Sequence, residues 1–198
     1  MALTTLSLDW NCAIAVENSE PEKEQIERLV ELHDRGQADV GVLQTSASEN
    51  MTGSRAFPGS YSSFEARLTA LGWAHLPRVP TPGVWGLSFW GHFKWVDENR
   101  YAALRDDLWK EMFPGISISH EDFASGKGLS RDTEICSPDL SNWRNAWCDV
   151  HSAYSHIEEQ RDLFVTSNTK HFRRISGHGF RAVTPMEAVE ELARRSAR

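Results

Sequence analysis

The sequence predicts an α/β domain built on a parallel sheet. Two observations carry this. Both ends of the chain alternate short apolar runs with amphipathic stretches, strand then helix. Between them, residues about 52–145 break the rhythm: six of the eight prolines and six of the eight tryptophans fall there, which marks this part as a compositionally distinct insertion in one 198-residue domain. A chain of this length, 40% hydrophobic and 25% charged, can bury a core of its own.

Residues 3–9 (Leu-Thr-Thr-Leu-Ser-Leu-Asp) read as a short buried strand ending at Asp9. Residues 11–17 (Asn-Cys-Ala-Ile-Ala-Val-Glu) look like a short helix. Ser19-Glu-Pro-Glu22 has the form of a capping box with proline in the first turn. The helix it opens places Ile26, Leu29, Val30 and His33 on one face and stops at Arg35-Gly36. Residues 39–44 (Asp-Val-Gly-Val-Leu-Gln) are a second buried strand. Thr45 to Met51 is a turn entering a helix.

Within the central part, Pro77-Arg-Val-Pro-Thr-Pro-Gly83 is a rigid connector that excludes regular helix. A dense aromatic stretch follows: Trp85, Phe89, Trp90, Phe93 and Trp95. Leu104, Leu108 and Met112, at i, i+4 and i+8, predict a helix over 101–112. Glycines and serines at 125–130 predict a loop. Further on, a helix is expected from about Asp149 to Gln160 and a strand at 163–166. Gly177 and Gly179 mark a loop, and residues 180–183 form a last strand. Thr184-Pro-Met-Glu187 is a second capping box, opening a helix through Val189 and Leu192 with Arg194, Arg195 and Arg198 near its C-terminal end.

The formal net charge of −7 argues against a broad basic nucleic-acid surface, but a local basic strip beside metal-binding acids is compatible with it. The three cysteines, Cys12, Cys136 and Cys148, form no CxxC pair, so neither a disulfide framework nor a zinc site is expected, and a reducing cytoplasm is the simplest setting. No apolar run approaches a membrane span, and the N-terminus lacks the basic and apolar regions of a signal peptide.

In open parallel sheets, ligands bind outside the carboxyl ends of the strands. Asp9 sits at one such end and Asn168 at another. Glu49 lies in the first turn of the helix after the second strand, and Asp149 at the start of the helix feeding a later strand. Gathered carboxylates repel one another and hold on to protons, and a divalent cation removes that penalty. All-oxygen ligands suit Mg²⁺ or Mn²⁺. Plainer roles exist for each piece. Asp149 could cap its helix, Asn168 could serve a strand-end turn, and Lys170, His171, Arg173 and Arg174 could be a solvated loop as readily as a phosphate-contacting strip. The aromatics of 85–95 are a base-stacking surface or a small core. His151 and His156, five apart, do not share a helical face, which speaks against zinc. Cys12 and Cys148 read as small buried apolar residues.

These segments resemble the PIN-domain family of metal-dependent ribonucleases. The resemblance rests on Leu8-Asp9-Trp-Asn11, Glu49, Asp149-Val-His-Ser-Ala, Phe164-Val-Thr-Ser-Asn-Thr-Lys-His-Phe172 and Val183-Thr-Pro-Met-Glu187, covering roughly residues 1–51 and 146–195. It implies a three-layer α/β/α sandwich with a central parallel sheet, in one PIN-like domain interrupted by the Trp/Pro-rich insertion. It implies that Asp9, Glu49 and Asp149 bind Mg²⁺ or Mn²⁺, and that Asn168 fills the fourth polar position, with RNA as substrate. A protein inhibitor or antitoxin and a homodimer are the partners it brings into view. Two departures stand out. The fourth position is often Asp, and Asn supplies no charge. The central part is longer than a compact member needs, so Asp132, Glu134 or Asp139 could replace Glu49. The competing expectations are a catalytically inactive PIN-like module that binds RNA or a protein, and phosphatase chemistry of the haloacid-dehalogenase type, which wants a second Asp where this chain has Asn11.

Overall fold

A computed structural model describes residues 3–49, 57, 59–85, 87–89 and 91–196. Its elements in chain order are β1 (Thr4–Leu8), α1 (Trp10–Glu17), α2 (Lys23–Asp34), β2 (Ala38–Leu43), α3 (Ser46–Glu49), α4 (Tyr61–Ala70), β3 (Arg78–Val79), β4 (Thr81–Pro82), β5 (Phe93–Lys94), α5 (Glu98–Met112), α6 (His120–Gly126), α7 (Ser141–Glu158), β6 (Leu163–Val165), α8 (Thr169–Phe172), β7 (Ala182–Val183) and α9 (Pro185–Ser196). Among the described residues, five strands form one parallel sheet in the order β3-β2-β1-β6-β7. A separate parallel pair joins β4 and β5. No helix among the described residues is long and apolar enough to cross a membrane.

The sheet is covered on both faces, and the side chains of its central strand show why. Leu6, Ser7 and Leu8 are all buried, as a central parallel strand requires. Leu6 and Leu8 enter one core with Val40, Val42, Leu163 and Val165, packed under α1, α2, α4 and α9. The alternate residues Leu43 and Phe164 enter the other, with Trp109, Trp143, Trp147 and Tyr154 from α5 and α7. Period-two alternation thus divides one sheet between two helical layers, the expected α/β/α sandwich. Gly41 in β2 makes the crowding visible: a Cβ there would meet Val79 Cγ2 at 2.9 Å and the Pro77 carbonyl at 3.2 Å.

The second capping box is present as expected. The Thr184 N–H donates to Glu187 Oε2 (2.8 Å), and the Glu187 N–H donates to Thr184 Oγ1 (3.2 Å). The first is not. Ser19 has φ +54 and ends α1 instead: its N–H donates to the Val16 carbonyl and that of Glu20 to the Ala15 carbonyl, a Schellman closure. Having adopted the left-handed position, Ser19 cannot cap α2, which begins at Lys23 after an uncapped Glu22. Gly36 ends α2, and Gln160 (φ +49) ends α7, in the same way.

Two boundaries also differ from expectation. The helix expected from Asp149 begins eight residues earlier, at Ser141, after a 3-10 turn at Pro138–Leu140 whose Ser137 hydroxyl accepts from the Asp139 N–H. Trp143, Ala146, Trp147 and Val150 form its buried stripe, and Asp149 lies in its interior rather than at its cap. The stretch read as an insertion contributes to the sandwich itself. From α4, Phe64 and Leu68 enter the first core, and β3 forms an edge of the sheet. The Pro77–Gly83 connector is non-helical as expected, but holds β3 and β4. Within the aromatic stretch, Phe89 packs on Tyr61 at 5.6 Å between ring centroids, whereas Trp85 and Trp95 are 88% and 79% exposed. Trp90, Met51 and Arg198 lie outside the described residues.

The left-handed serine is a local cost that glycine would relieve. Ser19→Gly is expected to stabilise the chain by about 0.5–1 kcal/mol, and Gly36→Ala to destabilise it by about 1 kcal/mol. Urea unfolding measures both; a destabilising Ser19→Gly would contradict this closure of α1.

Candidate metal centre

Where β1 and β6 end side by side, the chain builds a fixed carboxylate. The Asp9 N–H donates to the Val165 carbonyl (3.0 Å), so the backbone stays tied to the neighbouring strand as α1 begins. Asp9 is the N-cap of α1, with Oδ1 accepting from the Trp10 N–H at 2.8 Å. Its Oδ2 accepts from the Thr166 hydroxyl and from Asn11 Nδ2, each at 2.8 Å. Asn11 Nδ2 also donates to Thr166 Oγ1, and Asn11 Oδ1 accepts from the Ser167 N–H. The Asp9 side chain therefore has little freedom to rotate.

The other expected residues reach the same pocket from different elements. Glu49 closes the short α3, and its Oε1 is buried with no hydrogen-bond partner among the described residues. Asp149 projects from the middle of α7. Asn168 precedes α8; its backbone N–H donates to Thr166 Oγ1, while its side chain makes no cap bond. All four line a pocket of about 580 Å³ at the carboxyl edge of the sheet. Asp132, Glu134 and Asp139 do not line it.

The electrostatics are those of acids short of compensation. Burial pushes Asp9 up to about 6, against the pull of the Thr166, Trp10 and Asn11 hydrogen bonds. Burial, then the charges of Asp9 and Asp149, push Glu49 well above the usual carboxylate range. Burial and Asp9 do the same to Asp149. The Cys148 thiol beside them is pushed up by burial and by all three acids, and Cys12 by burial and Asp9, so neither is an activated nucleophile.

Among the described residues, no three His, Cys, Asp or Glu side chains are gathered tightly enough to clasp one ion. The acids nevertheless share a pocket and feel one another's charge. Mg²⁺ keeps several waters and takes only one or two carboxylates directly, so it does not need three side chains to clasp it. The all-oxygen donor set and the unsatisfied Glu49 Oε1 fit such an ion, or Mn²⁺.

Two cations on the pocket wall carried no signal in the sequence. Arg67 of α4 stacks over the Trp10 ring at 4.5 Å and hydrogen-bonds Glu17, fifty residues away. Arg144 of α7 donates to the carbonyls of Ile135 and Ser137. Asn11 and Thr166 had a signal, polar residues just past two strand ends, but their role needed the strands to be adjacent. The basic strip is largely engaged elsewhere. Arg173 pairs with Glu187, Arg174 binds the Met112 carbonyl, and His171 packs on Phe113. His151 bonds the Trp147 carbonyl and the Tyr101 hydroxyl, and burial pushes it down to about 4. His156 bonds Ser7 and is pushed down to about 3 by burial, so both are neutral core residues.

No family model matches this chain, and no curated protein does. Among solved structures it is similar to a crystal structure of VapBC2 from Rickettsia felis bound to a DNA fragment from their promoter. The identity is 14%, the match covers 91% of this chain and 98% of that one, and the TM-score is 0.46. At that distance the likeness transfers neither residues nor activity.

Folding raises the Asp9 pKa from 3.8 to about 6, so the folded chain holds a proton that the unfolded chain has released. That stabilisation is full below about pH 4 and is lost as pH rises through about 6, a term on the order of 3 kcal/mol. Glu49 and Asp149 shift in the same direction and carry the loss to higher pH. The buried histidines act oppositely, but their effect is complete above about pH 6.5. In EDTA, the thermal midpoint is expected to fall as pH rises above about 6.5, where the histidines no longer titrate in either state, and Glu49→Gln to flatten the fall. A midpoint that rises over that window would contradict the assignment.

Proposed function

We propose that this chain is a Mg²⁺- or Mn²⁺-dependent endoribonuclease that hydrolyses phosphodiesters at the Asp9, Glu49 and Asp149 cluster. The observation that carries the reading is one pocket in which Asp9, Glu49 and Asp149 converge, the charge of Asp9 raising the proton affinity of the other two, at the sheet edge where ligands bind. The resemblance to PIN-domain ribonucleases in the residues around all three agrees with it.

Asp9, Glu49 and Asp149 would hold the ion. When bound, it supplies Lewis-acid polarisation of the phosphate and lowers the pKa of a bound water. The protein's part is placement. Thr166 and Asn11 hold Asp9 in one orientation, with both oxygens engaged. Asn168 presents a carboxamide at the pocket mouth that can orient water without adding negative charge. Arg144 places positive charge on the wall, which favours a phosphate over the carboxylates alone, while the charge of Arg67 is matched by Glu17 on the same wall. RNA is the substrate in this reading, in a cytoplasmic setting. A protein inhibitor would seat over the pocket mouth, and a homodimer is the assembly to look for.

A cleavage assay on single-stranded RNA, with Mg²⁺ or Mn²⁺ and with EDTA, tests the chemistry. Cleavage is expected to need the metal, and Asp9→Asn to lower the rate by about a hundredfold or more. Equal cleavage by the variant would remove Asp9 from the centre. A wild-type chain that binds RNA and never cuts it favours the inactive-module reading. Thr166→Val keeps the shape but deletes the hydroxyl that steadies Asp9. It is expected to weaken the metal-induced thermal shift by a factor of about 10–100 in apparent affinity.

A further inference from the structure

The carboxylate pocket does not end at Asp149. Asn142, Asn145 and Asp149 follow one side of α7, three and seven residues apart. A second hollow, of about 320 Å³, adjoins the first and shares Asn145, Asp149 and Asn168 with it. The two make one trench that passes the acids and continues toward α5. The two parts differ in chemistry. The first holds Asp9, Glu49 and Asp149, with Glu17 paired to Arg67 on its wall, whereas among the described residues the second has only Asp149, at the rim shared with the first. Beyond that rim it is lined by Phe113, Ile116, Ala146 and His171 and by the exposed Asn142 and Asn145. Phe113 and His171 lie 4.6 Å apart between ring centroids. Burial, with Arg174 and Lys170 nearby, pushes the His171 pKa down, so its ring favours the neutral form.

Aromatic and apolar residues together with paired carboxamides in one hollow suit a heteroaromatic ring with hydrogen-bonding edges. Unstacked RNA bases are recognised in this way, their faces against aromatic rings and their edges read by side-chain amides. A carboxamide offers a donor and an acceptor side by side, which matches the N6 and N7 edge of adenine. We propose that this second hollow is a nucleobase subsite, in which Asn142 and Asn145 read the base beside the phosphate at the acids, with a preference for adenine. The inference takes its ligand from the ribonuclease reading and adds where along the trench sequence would be read.

The test separates the two. Binding of labelled hexaadenylate, hexacytidylate and hexauridylate to the full chain is followed by fluorescence anisotropy in EDTA, where the proposed chemistry is silent. The wild type is expected to bind hexaadenylate about tenfold more tightly than the other two. The Asn142→Ala/Asn145→Ala double variant should bring the three within about twofold. Both positions are exposed on a helix, where alanine is well tolerated, so the fold survives the change. Equal affinities in the wild type, or a preference that persists in the double variant, overturn the subsite. Cutting in Mg²⁺ without base preference leaves the nuclease and removes the subsite. A preference lost in the variant, with no cutting, keeps the subsite and removes the nuclease.

Discussion

Everything at the centre depends on the junction where β1 and β6 end together. The Thr166 hydroxyl is the hub. It donates to Asp9 Oδ2 and accepts from the Asn11 carboxamide and the Asn168 backbone. Through it, residues more than 150 positions apart become one rigid unit. A buried carboxylate without such donors would rotate or stay protonated at higher pH. Here its lone pairs are partly satisfied, which moderates the burial penalty on Asp9 relative to Glu49, whose Oε1 has no partner among the described residues. The junction therefore creates an asymmetry between two of the acids: Asp9 is oriented in advance by its hydrogen bonds, and Glu49 is not.

The same division shows in how much of the centre was legible in the sequence. Asp9 was readable because a strand followed by an acid and a helix is a local pattern. Asp149 was found as a residue but placed on the wrong part of its helix. An acid before an apolar run resembles a cap, and the true helix start at Ser141, eight residues upstream of Asp149, lay in what looked like an insertion. Ser19 was misread for a related reason: four residues can spell a capping box while the first of them is already committed to ending the previous helix. Strand β3, only two residues long, has no periodicity to read, and only the neighbouring β2 makes it a strand. Arg67 reaches the pocket because α4 packs against α1, a fact of tertiary structure alone. The fold class and the four candidate side chains were legible; the supporting shell was not.

The two helical layers do different jobs around the sheet. The first, with Leu6, Leu8, Ile26 and Leu29, is aliphatic and fixes where β1 delivers Asp9. The second is aromatic: Trp109 packs on Trp143 between α5 and α7, and Trp147 stacks on His151, which also bonds the Tyr101 hydroxyl. Large rings in fixed contact leave α7 few ways to shift, because a closely packed interior responds to volume changes by strain rather than by flow.

Asp149 thereby acquires a property that a helix cap would lack. Terminal turns fray, and a residue there can swing toward a ligand. A residue in the eighteen-residue α7 moves only as the whole rod moves. The rod is wedged by tryptophans on its far side, so the placement of this acid is written into the aromatic packing. Any ligand of the pocket would have to come to Asp149, with Glu49 on its short α3 as the partner left to adjust. Drift in the tryptophan layer would then be felt as a change of aim at the centre, long before it was felt as a loss of fold.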